Sequence, residues 1–296
     1  MLNNKIGVVI LNYNSFSDTI KLVEALQHQT LTNDLQIIVV DNASPNNSFK
    51  QLIHLEEQFS NVKVLQTGEN LGYAKGNNFG LNYLDQNLKP TYVAILNNDI
   101  ILPKNCLEKL INKYKVLEKP AIIAPKQIDT NNKEFLPYSL NSFLDDCLSL
   151  FYLFRFFNKR NALQYKDTIE LKAMKVDLIP GSFMFSSFQT FKNMGFFYPN
   201  TFLFVEERFI AVKAKQLNLN NYILLDETYV HAHSKTINTA FSQIGKYKLL
   251  YAGWLEFTRV CRSQGKLKAL LLIPLMKLSL LEMWVIENFR YVFRNK

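Results

Sequence analysis

Four short apolar stretches recur along the N-terminal third of the chain, and they constrain its fold more than any other feature. They occupy residues 6–11 (IGVVIL), 36–40 (QIIVV), 62–66 (VKVLQ) and 92–96 (YVAIL). The first two are almost wholly apolar, Gln36 apart, and rich in β-branched residues, which marks strands buried on both faces. Between them lie helical patterns: residues 17–29, with a stripe of Leu22, Val23, Ala25 and Leu26, and residues 48–59. A glycine- and asparagine-rich turn at residues 70–80 leads into another helix. Strand and helix alternating at this spacing predict a mostly parallel sheet with right-handed crossovers. In such a sheet ligands bind beyond the carboxyl ends of the strands. Three of the four stretches end there on polar turns: Asn12-Tyr13-Asn14, Asp41-Asn42-Ala43-Ser44 and Asn97-Asn98-Asp99.

The bulk properties narrow the class. The 296 residues, 48% hydrophobic and 20% charged, can build a real core, which excludes a disordered or fibrous chain. A formal net charge of +9 favours a polyanionic partner: nucleic acid, anionic headgroups or a phosphorylated substrate. The basic residues are dispersed and no nucleic-acid-reading module is present, so nucleic acid is the weakest of the three. Cys106, Cys147 and Cys261 are far apart and odd in number, which argues against a disulfide framework or zinc site and for a reducing, cytoplasmic compartment. The N-terminal segment is too short and too early interrupted for a signal peptide. No uninterrupted run of about 20 apolar residues is present, so no spanning helix is expected.

Several residues carry candidate chemistry, each beside a plainer reading. Asp99 offers a hard oxygen ligand at the mouth of the sheet, suited to Mg²⁺ or Mn²⁺ with phosphates completing the shell, or it closes an Asx-turn. Asp41 could accept hydrogen bonds from a base or ribose, or cap a turn. Gly72, Gly76 and Gly80 are spaced by four, with Lys75 among them as a phosphate contact; the plainer reading is a helix start packed close to the sheet. The spacing matches neither a dinucleotide fingerprint nor a P-loop. Glu206 and Glu207 follow the aromatic Phe202-Leu203-Phe204, where a raised pKa would suit a general base, or where acids simply favour a helix N-terminus. His231 and His233 lie on one side of a strand-like stretch at residues 222–233 and could join a metal site or meet a diphosphate. Two such ligands do not make a site by themselves.

Five ordered blocks together resemble the family-2 glycosyltransferases with the GT-A fold, in particular their bacterial rhamnosyltransferase-like branch. They are VVILNYN at 8–14, VVDNAS at 39–44, NLGYAKGNN at 70–78, LNND at 96–99, and the stretch from Gly195-Phe196-Phe197 to Glu206-Glu207. The resemblance runs over residues 5–233 and implies an inverting transfer of sugar from a nucleoside diphosphate to a glycan or lipid-linked acceptor. UDP- and dTDP-linked donors are both open, and rhamnose follows only from the branch. By the same resemblance Asn12, Tyr13 and Asp41 line the nucleoside pocket, and Asn98 and Asp99 occupy the metal-binding motif with Asp99 on the metal. Glu207 stands where the family places the catalytic aspartate, Glu206 is the neighbouring candidate, and His231 or His233 lies near the diphosphate. Three departures stand out: Asn97 and Asn98 leave one carboxylate in the acidic motif, Glu207 is one methylene longer than aspartate, and Phe209 replaces a further aspartate. They motivate an alternative, a non-catalytic member that binds sugar nucleotide or a partner enzyme.

The expected organisation is a catalytic domain over residues 1–240 and an amphipathic helical region over residues 241–296. The aromatic and basic segment at 136–175 reads as a helix, a lid or an acceptor-side insertion. Residues 266–296 are apolar with interspersed lysines, a tryptophan at 284 and a kink or a break into two helices predicted at Pro274. Such a helix suits the cytoplasmic face of a membrane, or packs on the catalytic domain or on a second subunit as a homodimer.

Overall fold

A computed structural model describes residues 5–135, 138–157, 172–232 and 242–294. Its strands are β1 (Ile6–Asn12), β2 (Leu35–Asp41), β3 (Val62–Gln66), β4 (Tyr92–Asn97), β5 (Ile100–Ile101), β6 (Pro120–Ile128), β7 (Ala173–Val176), β8 (Phe183–Ser187) and β9 (Asn220–His231). They form one sheet in the order β3-β2-β1-β4-β8-β6-β9-β5, with β7 on the same side of β9 as β5. The expectation of a mostly parallel sheet holds for one half. β3, β2, β1 and β4 are parallel, but β8 runs antiparallel to both β4 and β6, and β5 and β7 run antiparallel to β9. The sheet is therefore mixed, because the long segment after β6 re-enters it from the opposite end.

The helices are α1 (Phe16–Leu26), α2 (Ser48–Leu52), α3 (His54–Gln58), α4 (Gly72–Asn87), α5 (Cys106–Val116), α6 (Phe143–Ser149), α7 (Tyr152–Phe157), α8 (Phe188–Asn193), α9 (Glu206–Gln216), α10 (Gln243–Cys261) and α11 (Gly265–Arg294). Alternate strand residues feed two cores. Val8, Ile10, Ile37 and Val39 pack with Leu22 and Leu26 of α1 and Leu107 and Leu110 of α5. Val9, Ile38 and Val40 pack with Ala74, Leu81 and Leu84 of α4 on the other face. The glycines of α4 set that contact. A Cβ on Gly76 would lie 2.6 Å from Leu11 Cδ1, and one on Gly80 would lie 2.8 Å from Val9 Cγ1. Their spacing is thus helix-on-sheet packing, the plainer of the two readings.

A third core joins the C-terminal helices to the rest. Val205 and Phe209 pack with Tyr251, Trp254 and Phe257 of α10, Leu272 and Met276 of α11, and Leu150. The domain boundary expected at residue 240 lies within 233–241, outside the described residues, and this core draws on both sides of it. Two sequence expectations change here. α11 continues through Pro274 as one helix, with Pro274 on its exposed side, so the break into two helices is absent. And Gly265–Ile286 is long and apolar enough, by length and composition, to cross a membrane, since its few charges are spread thinly.

Candidate active site

The parallel strands bring their polar ends into register. Asn12 is paired directly with Asp41 across β1 and β2, and Leu11 with Asn97 across β1 and β4. Asn12 is fully buried and donates from Nδ2 to Asp41 Oδ1 (2.7 Å), while its Oδ1 accepts from Thr19 Oγ1 (2.8 Å). Thr19 in turn accepts from Asn98 Nδ2 (2.9 Å). Asp41 also accepts from Ser44 Oγ (2.6 Å) and the Ser44 backbone N–H (3.2 Å), across a turn in which Ala43 adopts φ 52°. Asn42 ties that turn to the start of α4: Nδ2 donates to Asn70 Oδ1 and Gly72 O, and Oδ1 accepts from the Leu71 N–H. Asn12, Asp41 and Asn98 therefore share one hydrogen-bonded network. Asp41 is buried within it, shaping the turn rather than reaching into solvent. Tyr13 is half-buried beside it, and Lys75 is exposed on α4.

Asp99 follows β4 directly, and β5 turns it toward the end of β9. Ile100 pairs with His231, and the Ala232 N–H donates to Asp99 O (2.9 Å). His231 Nε2 lies 3.1 Å from Asp99 Oδ1, and its Nδ1 lies 3.2 Å from Gln127 Nε2. A Gln Nε2 only donates, so this arrangement leaves the ring proton on Nε2, aimed at Asp99. Gln127 Oε1 accepts from Tyr229 OH (3.0 Å) and Ser182 Oγ (3.2 Å), which fixes the amide. Among the described residues no three His, Cys, Asp or Glu side chains gather as a metal cluster. His233 lies outside the described residues.

Glu206 and Glu207 open α9. The helix starts at 206 because Phe204 at φ 81° and Val205 at φ −144° are not helical, which puts both acids in its first turn. The preceding loop rests on α4. The Tyr73 N–H donates to Phe202 O (2.8 Å), and a Cβ on Gly72 (φ 75°) would meet that same oxygen at 2.4 Å. Glu206 accepts from the Val205 N–H at Oε2 (2.9 Å), while its buried Oε1 has no partner. Burial, then the neighbouring Glu207, pushes the Glu206 carboxyl up to about 7. Burial also raises Glu207, which its own backbone N–H and Arg208 partly counter. Burial, with both glutamates close by, lifts the Tyr73 phenol well above its ordinary value, so it stays a neutral donor.

These groups face one cavity of about 560 Å³, lined by Tyr73, Asn97, Gln127, Glu206, Glu207 and His231 together with apolar side chains that include Leu203, Phe204 and Leu250. The predicted glutamates and His231 thus meet in one place, with Asp99 held against His231. Sequence reasoning did not single out Thr19, Gln127, Ser182, Tyr229 or Tyr73 as site residues. Only Tyr73 carried a signal, inside the glycine block. Phe209, where an acid might stand, is core: its ring stacks 4.2 Å from Tyr198 and meets Phe257 edge-on.

A mixed sheet with a parallel, ligand-binding half and acidic residues at its mouth defines the GT-A class of nucleotide-sugar folds. Among solved structures, the mannosyltransferase PcManGT of Pyrobaculum calidifontis in complex with GDP-Man and Mn²⁺ superposes with a TM-score of 0.59 at 13% identity, covering 93% of this chain and 73% of that one. S. aureus TarS in complex with UDP-GlcNAc superposes at 0.56 and 16%, covering 89% and 69%. The glycosyl transferase family 2 profile matches residues 7–178, more than half of the chain, and the chain belongs to that family. It is 26% identical over 215 residues to a low-salt glycan biosynthesis hexosyltransferase of Haloferax volcanii; the match takes in 73% of this chain but only 63% of that relative.

Proposed function

We propose that the chain is an inverting glycosyltransferase that moves a sugar from a UDP- or dTDP-linked donor to a glycan or lipid-linked acceptor in surface polysaccharide synthesis, at the cytoplasmic face of the membrane. Rhamnose is the donor sugar that the branch resemblance favours. One observation carries the reading: two glutamates with raised pKa values share a cavity with His231, against which Asp99 is held. A carboxyl group whose pKa burial has raised, at the acceptor side, and a hard oxygen ligand at the donor side are what such a displacement needs.

Glu207 is the proposed base. It is less buried than Glu206, whose Oε2 is taken by a backbone N–H. Its carboxylate accepts the acceptor hydroxyl's proton as that oxygen attacks the anomeric carbon from the face opposite the diphosphate. One bond forms as the other breaks, and the centre inverts. The network joining Asn12, Asp41 and Asn98 positions the nucleoside, with Tyr13 beside it. The residues fit a divalent cation through one ligand: Asp99 Oδ1 is an oxygen that Mg²⁺ or Mn²⁺ would accept, with phosphates supplying the rest, while His231, whose Nε2 donates to that oxygen at 3.1 Å, would orient it rather than bind the cation. When bound, the cation neutralises charge on the departing diphosphate. The structures of PcManGT with Mn²⁺ support this.

The test is transfer and donor binding measured on the same variants. Glu207→Gln is expected to bind nucleotide normally and lose transfer by at least about a hundredfold. Asp99→Ala is expected to lose cation-dependent nucleotide binding. Activity retained in Glu207→Gln but lost in Glu206→Gln moves the base by one residue. Asn97, in place of a second carboxylate, favours one other reading, a nucleotide-sugar-binding subunit. Donor binding by the wild-type chain with no turnover on any acceptor would establish it.

A further inference from the structure

α11 is apolar on two opposite faces, and only one of them is covered. Leu272, Met276, Ser279 and Met283 are buried toward α10 and the third core. Leu267, Leu270, Leu271, Leu278, Leu281 and Val285 recur at three-, four- and seven-residue steps on the other face and stay exposed, with Leu270 the most open at 65%. That bare stripe is about 27 Å long, from the rise of 1.5 Å per residue. The neighbouring short helices extend it. Leu144 of α6 and Leu153 of α7 are also exposed, and both helices touch α11: Lys268 Nζ lies 5.5 Å from the Phe143 ring, and Glu282 accepts from the Tyr152 and Leu153 N–H groups.

The charges around the stripe choose the occupant. Between residues 265 and 286 there are three lysines, Lys266, Lys268 and Lys277, and one acid, Glu282. Glu282 is consumed in capping α7, so the charge left at the border is positive. Trp284, 55% exposed, lies on the same edge as Lys266 and Lys277. Aliphatic side chains bordered by lysines and a tryptophan match the boundary between headgroups and acyl chains of an anionic bilayer. A second copy of the chain fits less well. Pairing this stripe with itself would bring the bordering lysines of two chains, each of net charge +9, together.

The covered face decides how the helix meets lipid. Ser279 Oγ donates to Leu150 O (2.7 Å) and lies 2.6 Å from Tyr251 OH, both inside the third core. Spanning would strip α11 from α10, expose Trp254 and Tyr251 and break these bonds along with the Glu282 cap. We infer that α11, with Leu144 and Leu153, forms a docking surface for an anionic membrane and lies in the plane of the interface rather than across it. α10 carries this surface on one side and lines the cavity through Leu250 on the other, so docking sets the cavity beside the bilayer. The docking itself does not depend on the transferase reading.

The test uses the full chain with vesicles of phosphatidylcholine and of phosphatidylcholine mixed with phosphatidylglycerol. Sedimentation is expected to show binding to the mixed vesicles, weakened by salt and by omission of the anionic lipid. The Leu270→Glu, Leu278→Glu double variant, altered only at exposed positions, is expected to bind at least about tenfold more weakly. Its Tm and its UDP-induced thermal shift are expected to be unchanged, which separates lost docking from lost folding or lost nucleotide binding. Failure of the wild-type chain to bind either vesicle overturns the proposal. So does a dimer in solution that the double variant dissociates. In a Leu278→Trp, Trp284→Phe variant, whose new tryptophan lies well inside Gly265–Ile286, quenching by lipids brominated near the acyl-chain ends, stronger than by lipids brominated near the headgroup, would overturn the in-plane placement.

Discussion

The two halves of the site are held by different means. On the parallel side, Asn12, Thr19, Asp41, Ser44 and Asn98 bond to one another within turns that directly follow their strands or in the first helix. On the other side, the segment carrying Glu206 and Glu207 is clamped from far along the chain. Arg208 donates to Asp146 of α6 (2.8 Å), Arg262 after α10 bonds the other Asp146 oxygen, and the Arg208 guanidinium lies 4.9 Å from the Trp254 ring. Gly253 of α10 presses on Val205, and Tyr198 OH donates to Glu256 (2.6 Å). The strand-end side is thus a local construction, and the glutamate side depends on packing by helices far from it in the chain, α6 before it and α10 after it.

The sharpest way to break this contrast is to remove Asp146. It is buried between two arginines, and Arg208 Nη1 and Arg262 Nε already lack partners. Deleting the one acid leaves the buried Arg208 and the partly buried Arg262 without their counter-charge. Asp146→Ala is expected to cost about 3–5 kcal/mol in urea unfolding. Asn12→Ala, which leaves Asp41 short of one donor, is expected to cost about 1–3 kcal/mol. Equal losses would mean that the two sides are not held differently.

The second test uses pH. Glu206 rises from 4.5 to about 7 because folding buries it. The folded state then holds this proton more tightly than the unfolded state, so stability must fall as pH climbs between those values and level off above them. The loss is on the order of 3 kcal/mol. Glu206→Gln is expected to lessen that decline, leaving the part that Glu207 contributes, and to exceed the wild type in stability at pH 8. A wild-type unfolding midpoint that does not drop between pH 5 and pH 8 would show that Glu206 is not held in this way.

The contrast also explains what the sequence could say. β1, β2 and β4 and their polar ends were legible because a doubly buried parallel strand writes itself as a nearly continuous apolar run, and in such sheets ligands bind beyond the strands' carboxyl ends. Asn12, Asp41 and Asn98 fell out of that rule. The antiparallel insertion of β8 was not legible, since its five residues, FMFSS, carry no mark of direction. Nor was the Asp146 clamp, whose members are 62 and 54 residues from Arg208. Gln127 and Tyr229 meet only because β6 and β9 pair side by side. The glycine block misled in part: Gly76 and Gly80 serve the contact with β1 and β2, while Tyr73 between the glycines reaches the cavity.

Two glycines carry the comparison down to a single methyl group. A Cβ on Gly76 would meet the ends of the Leu11 side chain, at 2.6 and 3.1 Å, and a leucine tip can swing aside. Alanine there also gains about 0.5–1 kcal/mol of helix preference, so Gly76→Ala is expected to be close to neutral. A Cβ on Gly253 would lie 2.3 Å from Val205 Cγ2 and 3.2 Å from its Cβ. Valine has few rotamers to escape into, so the backbone before Glu206 must move. Gly253→Ala is expected to cost about 1–3 kcal/mol by overpacking, less whatever helix preference it recovers. Its larger mark is kinetic. A displacement of about 1 Å in that loop carries Glu206 and Glu207 with it and is expected to lower kcat by up to about a hundredfold with nucleotide affinity unchanged. If Gly253→Ala keeps full turnover while losing stability, α10 supports the fold without positioning the glutamates, and the two sides of the site differ in wiring but not in consequence.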